Sequence, residues 1–340
     1  MSATSDPPPA ARSLTDPWTL GGLRVPNRVV LAPLAGIGNW FVRLQAKRYG
    51  AGLAFSEMVS SFGVHHDNEK TCTEMLRIEQ AERAGGPVAI QLFGQDPDVM
   101  RSAAARVARA GADLIDLNMG CPVPKVCKTG AGAALLSDPD TAVAVARAAG
   151  EGSGLPVTVK LRSSRRDGDS EGVALAQRLV AEAGVAAITF HPRSAEVHHK
   201  GAPDLELARE LVRALPVPVI LSGGMNEPGW IRDAFDFTDC EAVMLARGAL
   251  GNPWLFSQLL GTRGEGPTSG EVLAELHWVM DRAVEHLGER RAGRYLRKFY
   301  PWYVEGLGGG KALQAALQGT DSVAQARAVL AGRGELAAAA

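Results

Sequence analysis

The sequence predicts an α/β protein: a TIM (β/α)8 barrel followed by a small C-terminal all-α helical domain. Short apolar runs rich in β-branched residues recur along the chain, and a helix-like segment follows each of them. Eight such runs are found, at 29–34, 53–59, 87–92, 112–118, 156–161, 186–191, 216–221 and 241–246. This number of strand–helix alternations favours a closed parallel barrel over an open doubly wound sheet.

The segments between the runs carry start and stop signals of helices. Residues 137–150 (SDPDTAVAVARAAG) place Ser and Asp before the periodic apolar positions and Gly150 at the end. Ser and Asp cap helix N-termini, and Gly terminates helices, so this pattern predicts an amphipathic helix that packs outside the barrel.

Composition changes at both ends of the predicted barrel. We expect a disordered N-terminal tail at 1–17, a catalytic barrel at 18–260 and a Gly-rich linker at 261–270. Residues 271–330 show helical periodicity without another convincing strand, and 331–340 are Gly/Ala-rich and expected to fray.

The overall composition limits the classes of function. A chain of 340 residues with 46% hydrophobic residues can bury one large core, and a net charge of −1 gives no global attraction to nucleic acid or membranes. Any RNA contact must therefore come from a local basic patch. The four cysteines lack CxxC pairs, and we see no signal peptide or membrane span, so we expect a monomeric cytoplasmic protein in a reducing compartment.

Strand parity in the run PVTVKLR predicts a charged barrel interior. Side chains alternate between faces along a strand, so if Val157, Val159 and Leu161 pack against outer helices, Lys160 and Arg162 point toward the barrel axis. Unpaired buried cations are unfavourable by several kcal/mol. The parity therefore predicts an anionic or hydrogen-bonding partner at the barrel mouth.

Polar and Gly residues cluster where the predicted strands end. TIM-barrel enzymes build their sites from the loops after the strands, at this end of the barrel. The residues at these positions are Pro33, Leu34, Ala35, Gln91, Asn118, Cys121, Lys160, Arg162, His191, Arg193, Ser222, Gly223, Gly224, Ala246, Arg247 and Gly248. The glycines after the seventh and eighth runs suit a phosphate site, because backbone N–H groups approach an anion closely where no Cβ intervenes.

The motif Asn118-Met119-Gly120-Cys121-Pro122 places a lone thiol just past a strand end. By itself the motif allows a nucleophile, a redox sensor or a metal ligand at Cys121. Cys127 lacks comparable context and is expected to be structural. The pairs His65-His66 and His198-His199 lack supporting Cys or carboxylate spacing, so we predict no metal site and interpret them as loop residues.

The sequence resembles the FMN-dependent tRNA-dihydrouridine synthases, and most closely their bacterial B-type branch. The most specific match is LIDLNMGCPVPKVCKTGAGAALL, and LAPLAG, QLFG, VKLR, HPRS and ARGALGNPWLF support it. The resemblance spans roughly residues 20–305. The chain departs from the B-type pattern at Ser222-Gly223-Gly224, where Asn-Gly-Asp is usual, at Ala246, where Gly is usual, and in its fifth and sixth loops.

The resemblance implies FMN in the barrel, NADPH as the reductant and tRNA as the substrate. Pro33, Leu34 and Ala35 would line the isoalloxazine, with Gln91 and Lys160 at its pyrimidine edge. The remaining cofactor contacts would be Asn118, His191, Ser222, Gly223, Gly224, Ala246, Arg247 and Gly248. The flavin N5 hydride would add to C6 of a uridine while Cys121, as a thiol, protonates C5. Asp116 is interpreted as structural.

The predicted C-terminal helices supply a local basic surface, although the chain as a whole has a net charge of −1. In 289–299 (ERRAGRYLRKF), Arg290, Arg294 and Arg297 or Lys298 recur on one helix face, which suits contacts to RNA phosphates beside Arg162 and Arg193. Two alternatives remain open. One is an FMN oxidoreductase of a free pyrimidine or small enone, and the other is a tRNA-binding barrel without catalytic activity.

Overall fold

The computed structural model describes residues 12–332. Eight parallel strands close into a barrel in the order β10-β3-β4-β5-β6-β7-β8-β9, and a two-stranded antiparallel hairpin precedes them. The hairpin strands are β1 (Trp18–Leu20) and β2 (Leu23–Val25). The barrel strands are β3 (Val29–Leu31), β4 (Leu53–Ser60), β5 (Val88–Phe93), β6 (Leu114–Met119), β7 (Val157–Arg162), β8 (Ala187–His191), β9 (Val219–Ser222) and β10 (Ala242–Leu245). Each predicted run overlaps one of these strands, so the predicted fold class is confirmed.

Helices cover the outside of the barrel and continue beyond its last strand. Those within the barrel are α1 (Trp40–Arg48), α2 (Ser61–His65), α3 (Pro97–Arg109), α4 (Pro124–Cys127), α5 (Pro139–Ser153), α6 (Glu171–Ala183), α7 (Leu205–Ala214), α8 (Pro228–Thr238) and α9 (Trp254–Leu259). Those that follow are α10 (Ser269–Leu287), α11 (Glu289–Leu296), α12 (Tyr300–Val304), α13 (Gly310–Gln318) and α14 (Val323–Ala331).

Helix α5 runs three residues past its predicted end at Gly150. Its start follows the expected capping chemistry, because Asp138 accepts from the backbone N–H of Thr141. Its end is at Ser153, where Gly154 adopts a left-handed conformation. A Cβ at Gly152 would lie 2.2 Å from the carbonyl oxygen of Arg101, so Gly152 allows α5 to approach α3 closely and does not stop the helix.

The alternating pattern of β7 is confirmed. Val157, Val159 and Leu161 belong to the apolar core between the strands and the outer helices. Lys160 and Arg162 point the other way and line a pocket at the carboxyl ends of the strands. The alternation of side chains along the strand therefore predicted the direction of both cations correctly.

The N-terminal end of the barrel is covered by the β1–β2 hairpin. Trp18, Leu20 and Val25 pack with the inward-facing side chains of the barrel strands, which include Phe55 and Met244. The Trp18 indole N–H donates to the carbonyl of Asn27, two residues before β3. The hairpin thus closes the barrel floor and leaves the opposite end for a site.

The expectation of a disordered tail is wrong for residues 12–17. Leu14 is buried, and its carbonyl oxygen accepts a 2.9 Å hydrogen bond from the backbone N–H of Arg28. Arg12 pairs with Glu241 at 2.9 Å. One apolar anchor and one ion pair hold this segment against the barrel. Residues 1–11 and most of the predicted frayed tail, 333–340, lie outside the described residues.

The helices after residue 268 pack on α1 of the barrel. Apolar residues of α10 and α12 join α1 in one continuous core. The buried carboxylate of Glu275 accepts from Gln45, Arg48 and Tyr49 at 2.9, 3.0 and 2.7 Å. This network holds the helical region firmly beside the barrel mouth.

Candidate active site

A pocket of about 300 Å³ opens at the carboxyl ends of the barrel strands. Most residues predicted for a site meet there. The predicted residues that line it are Pro33, Ala35, Gln91, Asn118, Cys121, Lys160, Arg162, His191, Ser222, Gly223, Gly224, Ala246 and Arg247. The side chain of Leu34 instead packs in the outer core, and Gly248 packs against Met225 and Asn226.

A chain of hydrogen bonds runs from the barrel interior to the Cys121 loop. Gln91 Nε2 donates to Asp116 Oδ2 at 2.6 Å, and Asn118 Nδ2 donates to Gln91 Oε1 at 3.0 Å. Asn118 Oδ1 in turn accepts from the backbone N–H of Cys121 at 2.9 Å. Each amide uses one donor and one acceptor, so the chain fixes the orientation of both side chains.

The carboxyl of Asp116 lies at the inner end of this chain. It is fully buried and also accepts from Thr158 Oγ1 at 2.6 Å. Burial raises its pKa to about 7, against the opposing influence of its hydrogen bonds and of Lys160. Asp116 therefore holds the polar layer beneath the pocket.

The Cys121 thiol lies in the wall of the pocket. Burial raises its pKa, and the nearby Cys127 adds to this effect, while a backbone hydrogen bond from Val123 and the cations Arg162 and Lys160 oppose it. The sulfur is therefore a protonated thiol at neutral pH, which is the form that can donate a proton. Cys127 donates to the carbonyl oxygen of Cys121 at 3.3 Å, and so supports the loop.

Cationic side chains gather on one side of the pocket. Desolvation and the neighbouring Arg162 lower the pKa of Lys160 to about 8. Desolvation and Arg193 lower the pKa of Arg162 to about 10. Arg162 also donates to the carbonyl oxygens of Gly120 and Ser194, at 3.0 and 2.9 Å. Positive charge here is incompletely compensated, so the pocket favours an anion.

His191 is held as a neutral acceptor. Burial and the surrounding cations lower its pKa strongly, and Arg193 Nη1 lies 3.3 Å from its Nε2. A Cβ at Gly223 would lie 2.4 Å from this ring, and its backbone φ of +106° also favours glycine. His199 stacks on His191 with ring centres 6.0 Å apart. His199 is expected from the sequence only to be a loop residue, because the pair His198-His199 lacks supporting Cys or carboxylate spacing, and its stacking on His191 is not predicted.

Of the two alternatives for the third basic position, Arg297 and Lys298, the structure places Lys298 with Arg290 and Arg294. Arg290, Arg294 and Lys298 line a second cavity beside the barrel mouth. Arg297 lies elsewhere, where it donates to the carbonyl of Thr320 and pairs with Asp321 at 2.6 Å. Helix α11 ends at Leu296, so helical spacing no longer determines the direction of Arg297.

The family model of dihydrouridine synthases matches residues 30–335. The chain belongs to the dihydrouridine synthase family. A tRNA-dihydrouridine synthase B of Shewanella oneidensis is 32% identical over 294 residues, covering 84% of this chain and 89% of that protein. A protein of the same name from Pseudomonas aeruginosa is 32% identical over 315 residues, covering 89% and 92%. As a member of this family, the protein is an oxidoreductase.

Solved structures share the barrel fold. Morphinone reductase aligns with a TM-score of 0.55 at 19% identity, covering 77% of this dihydrouridine synthase and 94% of its own chain. A 2-naphthoyl-CoA reductase aligns with a TM-score of 0.59 at 14% identity, covering 74% and 52%. Within residues 12–332, no helix has the length and apolar composition that a membrane crossing requires. No cluster of three or more His, Cys, Asp or Glu in the same range is placed to hold a metal ion.

Proposed function

We propose that this dihydrouridine synthase reduces uridines in tRNA, with FMN as the bound cofactor and NADPH as its reductant. The observation that carries the proposal is the meeting of a protonated thiol, Cys121, with a cluster of incompletely compensated cations in one pocket at the barrel mouth. Its relatives named tRNA-dihydrouridine synthase B support the substrate.

The donor groups of the pocket fit a flavin phosphate and ring. Lys160 and Arg247 line the pocket and supply positive charge, Arg193 adds charge from behind His191, and Gly223 and Gly224 leave their backbone open to an anion. The hydroxyl of Thr189, buried on the strand next to Lys160, has no partner among the described residues and could reorient toward a bound group. We propose that Lys160 and Gln91 contact the ring, while Ser222, Gly223, Gly224, Ala246, Arg247 and His191 hold the phosphate side.

The protein residues then perform the acid half of the reaction. When bound and reduced by a nicotinamide, the flavin would supply the hydride that C6 of the uracil ring accepts. Cys121 Sγ holds the proton that goes to C5, and Asn118 fixes the loop through its bond to the Cys121 N–H. Because burial raises the Cys121 pKa, the acid stays protonated throughout the neutral range.

The helical region would bring the tRNA to this pocket. We propose that α10–α14 form the RNA-binding part of the protein, with Arg290, Arg294 and Lys298 toward phosphates. Arg162 and Arg193 are mostly buried and already bind backbone carbonyls or His191, so their proposed role is to shape the pocket rather than to grip the RNA surface.

The experiment compares Cys121→Ala with Cys127→Ala. We expect Cys121→Ala to bind flavin and accept electrons from NADPH, yet to lose about 10²-fold or more in dihydrouridine formation in tRNA, measured by nucleoside mass spectrometry. Cys127→Ala removes a thiol six residues away and should stay within a few-fold of the wild type. Equal product yields from both variants would show that Cys121 is not the acid. Faster reduction of free uracil than of tRNA by the wild type would favour the free-pyrimidine alternative.

A further inference from the structure

A second cavity of about 670 Å³ adjoins the active-site pocket. The wall between the two cavities is formed by two pairs of residues that are adjacent in sequence. Ala35 and Met58 line the pocket, whereas their neighbours Gly36 and Glu57 line the second cavity. Its opposite wall comes from α11 and the residues after it. We call this cavity the side groove. A strand of RNA that places one nucleotide in the pocket can therefore place an adjacent nucleotide in the side groove.

The side groove is mainly basic, and two of its arginines have no protein partner among the described residues. Arg290 and Arg294 make no ion pair or hydrogen bond with any described residue. Lys298 Nζ donates to the carbonyl oxygen of Gly36 at 3.2 Å and lies over the Tyr295 ring. Free cations of this kind suit phosphate groups.

Two carboxylates line the side groove, and Glu57 differs from Glu74 because Glu74 pairs with Arg291 at 2.6 Å. A β-bulge between Phe55 and Met58 shifts the alternation of β4, so that Phe55 and Met58 both face the barrel interior. Without the bulge, Glu57 would point into the barrel, whereas here it points into the side groove. The backbone thus departs from regular geometry at the position that presents this carboxylate.

The Glu57 carboxylate has only one bonded oxygen. Oε2 accepts from the backbone N–H of Gly36 at 2.8 Å, and no ion pair to Glu57 is formed within residues 12–332. Burial raises its pKa, which reflects an incompletely compensated acceptor. A carboxylate repels phosphate but accepts from N–H groups, and the Watson–Crick edge of guanine presents two such donors, N1–H and N2–H.

We propose that the side groove binds a nucleotide next to the target uridine, and that Glu57 accepts hydrogen bonds from its base, with a preference for guanine. Arg290, Arg294 and Lys298 would hold the flanking phosphates. This inference rests on the proposed function, because it takes the substrate to be tRNA. Glu57 is then a specificity-determining residue rather than a group that touches the reacting atoms.

The variant Glu57→Gln separates base recognition from both structural support and charge. Its side-chain oxygen can still accept from the Gly36 N–H, while an amide donor replaces the acceptor that faces the groove. Removing a negative charge from a basic groove should tighten the binding of a polyanion if only phosphates are bound. Base recognition instead predicts weaker binding, because the new amide N–H donor would face the N–H donors of the base.

The test measures Kd for tRNA transcripts with guanine, inosine, adenine or uracil at either neighbour of the modified uridine. For the flavin-bound wild type, we expect Kd to rise about tenfold when guanine at one neighbour is replaced, inosine included because it lacks the N2 amino group. Glu57→Gln should bind the guanine transcript about tenfold more weakly and discriminate less than twofold among the four bases.

Two further variants complete the experiment. Glu57→Asp keeps the charge but shortens the reach, and it should lose discrimination as well. Glu69→Gln removes the charge of an exposed carboxylate that does not line the groove, and it should keep discrimination intact. Tighter binding of all transcripts by Glu57→Gln, or unchanged discrimination, would overturn the proposal. Binding is measured without turnover, so a failure of the proposed reaction would be seen separately, as an absence of dihydrouridine with the wild type.

Discussion

The amide nitrogen of Gln91 donates to the buried carboxylate of Asp116 at 2.6 Å, which leaves the Gln91 oxygen to accept from Asn118. An amide can be reversed without a change of shape, and only its partners decide its direction. Asp116 accepts at both oxygens, so it sets the direction of every bond up to the Cys121 loop.

We therefore expect Asp116→Leu to lower the rate of dihydrouridine formation by about tenfold or more. The loss should appear in kcat with single-turnover kinetics, together with a changed absorption spectrum of the bound flavin. The matched control is Thr158→Val, which removes the other hydrogen bond to Asp116 and leaves the Gln91 bond in place. If both variants lose activity equally, Asp116 supports only the fold.

Lys160 gives the pocket a pH dependence that can be measured. Its pKa is lowered to about 8 in the folded protein, below the ordinary value of about 10.4 in an unfolded chain. Between these values the unfolded state binds more protons, so the free energy of unfolding of the flavin-free protein should rise as pH increases through this window. Urea denaturation at several pH values measures this rise, and Lys160→Met should remove it.

An anionic ligand should reverse the shift of Lys160. A negative charge nearby raises the lysine pKa, so FMN binding near pH 8 should take up protons. Calorimetric titrations in buffers of different ionisation enthalpy measure the number of protons bound. The same number for wild type and Lys160→Met would argue that Lys160 does not contact the anion.

The basic groove predicts a difference between arginines that are close in sequence. Replacing Arg290 and Arg294 by alanine should weaken tRNA binding and reduce the slope of log K against log salt by up to about two. Arg297→Ala should change the slope little, because this side chain pairs with Asp321 away from the groove. Kd values between about 50 and 200 mM salt test both statements. If Arg297→Ala reduced the slope equally, the result would support a basic helix face that includes Arg297, as the sequence predicts.

A buried ion pair predicts a large effect on stability. Arg43 and Glu82 are fully buried, with Nε and Oε2 2.7 Å apart. Arg43→Met should lower the free energy of unfolding by about 3–5 kcal/mol, because it leaves an unpaired buried carboxylate. The double variant Arg43→Met, Glu82→Leu should recover much of this loss. Arg178→Ala, at an exposed pair, provides a control for denaturant experiments and should change stability little.

Periodicity was sufficient to predict the barrel and part of the pocket. Strand alternation is a local property, so Lys160 and Arg162 could be directed inward from seven letters of sequence. The meeting of Gln91, Asn118 and Cys121 also followed, because the carboxyl ends of all barrel strands lie at one face.

The errors and omissions occur where local regularity ends. Arg297 follows the last residue of α11, and Glu57 lies within the irregularity of β4, so neither obeys the spacing of its element. His199 reaches the pocket from a loop whose course depends on contacts with His191. Leu14 anchors residues that lack any periodic pattern. Such positions are fixed by tertiary packing, which spacing alone does not encode.

The hairpin at the floor of the barrel restricts the routes by which substrates can reach the pocket. Trp18, Leu20 and Val25 fill the end of the barrel opposite the pocket, which leaves the mouth as the route for both large reactants. A nicotinamide and a uridine that enter through the same opening cannot occupy the pocket together, so the oxidised dinucleotide has to dissociate before the RNA binds. Steady-state rates should then follow a double-displacement pattern, with each reactant inhibiting at high concentration by occupying the form of the enzyme meant for the other.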